Sequence, residues 1–498
     1  VKQKQVLVVC VILLVGLLWG LHGSHHVVRA QFGETGGGIL TPNACPEGQY
    51  LDLTSDICRN LDKQYGFDVN RFAQTFSDEE HRLSECSVDA LRRLLEEIHA
   101  QGGLVLLPAC TFHVADTIHI PNNTILQGAG TEQTVFKAAE GYSSDILMMK
   151  KKQNVIVRDL TVDGSGSAGK GVFAWYADNI LFERLEVRDL DRVGIRFRYT
   201  QRITIRYSAS HGSRQYHGVG AKDCFDKTES QCADSAGDLG PGVLWSQNYA
   251  IYSNRFYNNG SHGLDSHASH GEVAGNLIYD NTYGTKFPDA SYVWIHHNRI
   301  DNNAGWGSKI SPTLEIPERY PHNVVFYENA FHNNDSYPIR VREPVKNLYL
   351  FMNEYAGNDP NALRVDNVPV YTCAGAQEST MRVDGTPLRL AEPAQCDLSQ
   401  IAHLFGQDAD VDAPGGTLPE IPPTVSPLPT PTAPAAGTPP QATPAKPEPT
   451  PTASSTPETP GAPSSATATP TPPPSEPDEN RDEDDVIQQL YFPLINRS

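Results

Sequence analysis

Asn254-Arg255-Phe256-Tyr257-Asn258-Asn259, then Asn276-Leu277-Ile278-Tyr279-Asp280-Asn281, then Asn298-Arg299-Ile300-Asp301-Asn302-Asn303: this stretch decides the fold. The pattern returns twice at intervals of 22 residues. After an insertion at 312–321 it resumes as Asn329-Ala330-Phe331-His332-Asn333-Asn334 and Asn353-Glu354-Tyr355-Ala356-Gly357-Asn358. Upstream, Val155-Ile156-Val157-Arg158 and Ile180-Leu181-Phe182-Glu183 open segments with the same strand pattern but no asparagine. Each unit alternates apolar and polar residues with period 2 and breaks at Asn, Gly or Asp, which are turn residues. One such unit cannot bury its own apolar face, whereas units stacked about 4.8 Å apart share a continuous core. The pattern predicts an all-β fold, a parallel β-helix, over 86–406. The leading asparagines are expected to stack in the turns, each amide bonded to those above and below.

The rest of the 498-residue chain reads differently. Lys2 and Lys4 precede an apolar run at 6–21 and then Val28-Arg29-Ala30, the pattern of a secretory signal over 1–30, with an uncleaved anchor helix as the alternative. Of the 38 prolines, 22 lie in 414–477, so 407–480 reads as a Pro/Thr-rich linker that cannot form a core. An acidic then apolar tail, 481–498, follows, too short to span a bilayer but able to serve as a cell-surface attachment signal. A secreted or cell-surface protein, monomeric, is expected. Eight cysteines follow the signal, and their clustering suggests disulfides 45–58, 86–110, 224–232 and 373–396, the first in an N-terminal segment over 31–85. The net charge of −20 argues against nucleic acid as a partner.

Before the repeats, Ser87 is placed to cap a helix carrying Leu91, Leu94, Leu95 and Ile98 on one face and ended by Gly102-Gly103. Leu104-Val105-Leu106-Leu107-Pro108 and Thr124-Ile125-Leu126-Gln127-Gly128-Ala129-Gly130 follow. This order resembles the start of pectate-lyase-like right-handed β-helix proteins, in which the helix covers the open end of the solenoid. An uncovered end coil would leave a sheet edge exposed.

Aligning the coils after their turns gives Gly263-Leu264-Asp265, Gly284-Thr285-Lys286, Gly307-Ser308-Lys309 and Pro338-Ile339-Arg340. Asp265, Lys286, Lys309 and Arg340 should therefore form one column. His267 and Arg342 belong to a parallel column two residues on, because residues i and i+2 of a strand share a face. Cations at one-coil intervals suit a linear polyanion, and an acidic polysaccharide such as a polyuronate is the implied partner. The bland reading is a solvated face whose charges pair weakly across rungs.

His262-Gly263-Leu264-Asp265-Ser266-His267 is similar to the motif YG-[IF]-DPH of mannuronan C5-epimerases. Asn281-Thr282-Tyr283-Gly284-Thr285-Lys286 resembles their NT-x-x-GTK segment, and Ile339-Arg340-Val341-Arg342 their IRVR. The resemblance implies abstraction of the C5 proton of a uronate, by epimerase or lyase chemistry. It implies His267 as the base, Asp265 as its orienter, His262 at the position of a proton-donating tyrosine, and Lys286, Lys309 or Arg340 neutralising the carboxylate. The motif proline is Ser266 here, the following acid is Ala268, and the tyrosine is His262. A histidine in that place can shift the balance from epimerisation to β-elimination or abolish it. Two rivals remain: a catalytically degenerate polysaccharide-binding or surface-display β-helix, and a glycoside hydrolase on the same scaffold.

No cofactor or metal is implied, with a bound calcium left open. Asp289, His296, His297 and Asp301 offer metal-ligand types, but His296 and His297 alternate faces. Trp245, Trp294, Trp306 and Tyr320 read as sugar-stacking rings or as packing.

Overall fold

The computed structural model describes residues 45, 49–61, 65–222, 246–312, 320–342, 344–358, 363–365, 370–372, 382–383 and 386–387. The signal, the linker, the tail, Trp245 and the 224–232 and 373–396 disulfides lie outside them. The other two disulfides, Cys45–Cys58 and Cys86–Cys110, are formed.

Successive strands pair in parallel with their counterparts one coil away, and three such sheets wrap one core. The first holds Ile118–His119, Leu147–Lys150, Lys170–Trp175, Val193–Arg198, Val219–Lys222, His262–Ser266, Tyr283–Pro288, Ser308–Ser311, Ile339–Val341 and Arg364–Val365. A second runs through Gln201–Arg206, Gln247–Tyr252, Ser269–Ala274, Ser291–His296, His322–Tyr327 and Lys346–Phe351. A third contains Ala209–His211, Arg255–Tyr257, Leu277–Tyr279, Arg299–Asp301 and Ala330–His332. Two long strands, Gln153–Asp163 and Asp178–Arg188, serve the second and third sheets together.

Alternation fills the interior. Val172, Ile195, Val219, Leu264, Phe287 and Ile310 point inward from the first sheet and are buried with Phe256, Phe326 and Phe331 in one continuous core. Burying each such side chain is worth about 1.5–3 kcal/mol, so the coils stabilise one another through shared apolar contact.

The expected asparagine ladder is present. Asn254 Nδ2 donates to Asn276 Oδ1 at 3.0 Å, Asn276 to Asn298 at 2.9 Å, Asn298 to Asn329 at 3.0 Å and Asn329 to Asn353 at 2.9 Å. A second ladder, not anticipated, joins Asn259, Asn281, Asn303, Asn334 and Asn358. Each amide also donates to a main-chain carbonyl of the preceding coil, as Asn276 does to Ile251. The ladders thus satisfy turn groups that no sheet can reach. Glycine is required beside them: a Cβ on Gly263 would lie 2.9 Å from Asn281 Nδ2 and 2.5 Å from Ile278.

The helix Val88–Glu97 covers the first coil as the sequence predicts. Ser87 Oγ accepts from the Ala90 amide at 3.1 Å, and Leu91, Leu95 and Ile98 join the main core. Ahead of it the chain is already part of the solenoid, since Glu80–Arg82 pairs with Gly103–Leu106. The hairpin Gln49–Asp52 with Ile57–Asn60 docks on the outside of the second sheet. Leu51 exchanges hydrogen bonds with Ser253 Oγ at 2.9 and 2.8 Å, and buried Tyr50 packs over Gly275.

Candidate functional site

The first sheet places the charged residues as the coil alignment predicts. Asp265 is in register with Lys286, Lys286 with Lys309, and Lys309 with Arg340. The column continues to Arg364 on one side and, through Gly220, to Arg196 of the earlier coil Gly194-Ile195-Arg196 on the other. His267 follows its strand, its amide bonded to the Ala221 carbonyl at 3.0 Å. In the parallel column Pro288 and Ser311 stand between His267 and Arg342, and Arg342 is exposed.

The centre of this cluster is not a solvated face, although Lys286 and Arg340 are half-buried. Asp265 and His267 are each 1% exposed, His262 0% and Lys309 4%. Burying charge costs several kcal/mol per ion unless partners surround it, so the cluster must be held by mutual contact. Asp265 Oδ2 lies 3.2 Å from His217 Nε2 and 3.8 Å from Lys222 Nζ, and Oδ1 lies 3.7 Å from His267 Nε2. His267 Nδ1 lies 3.5 Å from Asp289 Oδ2. Burial alone would raise the Asp265 pKa, but His217, His267, Lys222 and Lys286 outweigh it and hold the carboxyl well below its usual range. Burial, reinforced by Lys222, Lys286 and Arg196 against the pull of Asp265, pushes the His217 pKa down to about 3. Burial also holds His262 well below the ordinary imidazole value. At neutral pH the centre is an ionised aspartate beside two neutral imidazoles.

The first residue of each coil on this sheet forms a column of rings. His217 and His262 are 5.2 Å apart, His262 and Tyr283 5.1 Å, and Tyr283 stacks on Trp306 at 3.9 Å. Lys309 sits 4.7 Å from the centre of the Trp306 ring and Arg340 5.3 Å, so this tryptophan supports the cation column. Trp294 instead packs with Val325, Tyr327, Tyr349 and Phe351 on the second sheet. Upstream, Trp175 and Phe173 lie 5.7 Å apart on the same sheet, with Lys150 4.3 Å over Trp175.

His217 and Lys222 were not singled out by the coil alignment. The signal was available: His217-Gly218-Val219-Gly220 repeats the form of His262-Gly263-Leu264-Asp265. The intervening insertion stretches their separation to 45 residues, which hides the period. The histidine and aspartate group at 289–301 does not assemble. Asp289 faces His267, while His296 pairs with buried Glu272 at 2.9 Å and His297 bonds Glu328. Among the described residues no cluster of three or more His, Cys, Asp or Glu is arranged to hold a metal.

Residues 238–367 match the family model described as a right handed beta helix region. The fold is a right-handed parallel β-helix. This β-helix is 27% identical over 217 residues to mannuronan C5-epimerase AlgE2 of Azotobacter vinelandii, covering 36% of the chain and 22% of that relative. With AlgE3 of the same organism it shares 26% over 202 residues, 35% of the chain and 11% of the relative. The chain therefore matches about a fifth or less of the length of these relatives. Among solved structures, the A-module of the Azotobacter vinelandii epimerase AlgE4 superposes with a TM-score of 0.36 at 20% identity, over 57% of this chain and 92% of that one.

Proposed function

We propose that this β-helix acts on an acidic polysaccharide, a polyuronate, outside the cytoplasm, by removing the proton at C5 of a uronate ring. The observation that carries this reading is the in-register column Lys286, Lys309 and Arg340 running directly into Asp265, with His262 and His267 beside it. The mannuronan C5-epimerases to which the chain is similar supply the substrate class.

The residue types match the demands of that chemistry. A C5 hydrogen α to a carboxylate is weakly acidic, so the carboxylate's charge must be neutralised as the proton leaves. Lys222 and Lys286 flank Asp265 and are placed for that role. Lys309 and Arg340 would hold the following carboxylates along the polymer. His262 and His267 form the acid–base pair. Return of a proton to the opposite face of C5 gives epimerisation, whereas departure of the 4-oxygen gives β-elimination.

Incubation of the full chain with alginate, pectate and other polyuronates tests this. A changed ratio of mannuronate to guluronate marks an epimerase, and absorbance of an unsaturated uronate marks a lyase. New reducing ends without unsaturation would replace the reading with hydrolysis, and absence of any product would leave a binding protein.

A further inference from the structure

At the centre of the first sheet three side chains from two coils share a chain of close polar contacts. His217 Nε2 lies 3.2 Å from Asp265 Oδ2, His217 Nδ1 lies 3.3 Å from His262 Nδ1, and His262 Nδ1 also lies 2.9 Å from Ser261 Oγ. An ionised carboxylate only accepts, so the proton in the first contact belongs to His217 Nε2. A neutral imidazole carries one N–H, so His217 Nδ1 holds a lone pair and can only accept. Two facing lone pairs 3.3 Å apart would repel, so the proton between the two histidines is on His262 Nδ1, and Ser261 Oγ accepts from the same N–H. That leaves His262 Nε2, fully buried and with no hydrogen-bond partner among the described residues, carrying a lone pair.

We propose that His217 is a positioning residue that locks His262 as its Nδ1–H tautomer, making His262 Nε2 the base of the site. Asp265, His217 and His262 then form a carboxylate–imidazole–imidazole relay across adjacent coils. His267 is the complementary acid: both its nitrogens face carboxylate oxygens, of Asp265 at 3.7 Å and of Asp289 at 3.5 Å. This reverses the assignment that the epimerase resemblance implies for His262 and His267.

The catalytic role rests on the proposed action on polyuronates. The C5–H bond breaks, its proton goes to His262 Nε2, and its electron pair spreads into the substrate carboxylate beside Lys222 and Lys286. The imidazolium formed at His262 is stabilised through His217 by Asp265, as a buried carboxylate steadies a histidine in other relays. The pair then takes a proton from His267 at the opposite face of C5, or forms a C4–C5 double bond as the 4-oxygen leaves and takes that proton.

Nitrogen-15 NMR of histidine-labelled full-length protein, with His262 assigned by its loss in His262→Gln, reads the tautomer without substrate. A protonated Nδ1 and bare Nε2 at neutral pH is the expected result, and a protonated Nε2 overturns the proposal. His217→Gln keeps one donor for Asp265 and one acceptor for His262, so it should preserve the tautomer. His217→Phe should release the tautomer and lower kcat on the order of 100-fold or more, with KM little changed. An unchanged His262 tautomer in His217→Phe also overturns it. If the tautomer is as expected but no polyuronate is converted, the function reading fails and the lock stands.

Discussion

His217 and Asp265 meet at 3.2 Å from neighbouring coils of the first sheet, and their contact leaves a neutral imidazole against an ionised carboxylate inside the protein. The pair determines how the site responds to acid. His217 titrates near 3 in the folded protein and near 6.5 when unfolded, so between those values the unfolded chain binds the extra proton. Its stabilisation is complete above pH 6.5 and is lost as pH falls through that window. Asp265, also depressed, loses its contribution below about 3.9, the unfolded aspartate value.

Denaturant unfolding at several pH values measures this directly. His217→Gln should reduce the slope of stability against pH between 6.5 and 4 by about 1.4 kcal/mol per pH unit. An unaltered slope would show that His217 is not held neutral.

Lys309 stands one coil beyond Lys286 and is buried beside Trp306. It should bind substrate without touching the reacting ring. Lys309→Met is expected to raise KM for a polyuronate roughly tenfold with little change in kcat, since a charged hydrogen bond is worth about 1.5–3 kcal/mol. Lys286→Met should lower kcat as well. Steady-state kinetics on chains of defined length separate the two.

Asn276 accepts from Asn254 and donates to both Asn298 and the Ile251 carbonyl. Replacement by Ala leaves several buried groups unsatisfied and should cost about 3 kcal/mol, seen as a lower midpoint in denaturant. Asn258, beside Asn259 in the second-ladder turn of the preceding coil, with positive φ and absent from both ladders, is the control and should tolerate Gly with little loss.

Gly275 has a φ of +61°, and a Cβ there would lie 2.6 Å from the Tyr50 ring. Gly275→Ala should loosen the hairpin at 49–60 while leaving the coils folded. Hydrogen exchange should then rise at Leu51, which bonds Ser253, and stay low at Ile278 in the core.

The sequence by itself determined the solenoid and its cation column. Parallel stacking hands register from coil to coil, so residues at the same point of the repeat must meet; Asp265, Lys286, Lys309 and Arg340 were legible for that reason. The asparagine turns and the capping helix followed from the same local rules. Tertiary structure alone decided the rest. The approach of His217 to Asp265 crosses an insertion that erases the period, and the docking of Tyr50 on Gly275 joins segments with no repeat in common. The state of His262 was out of reach of any motif, because a tautomer is set by which atoms lie within hydrogen-bond distance.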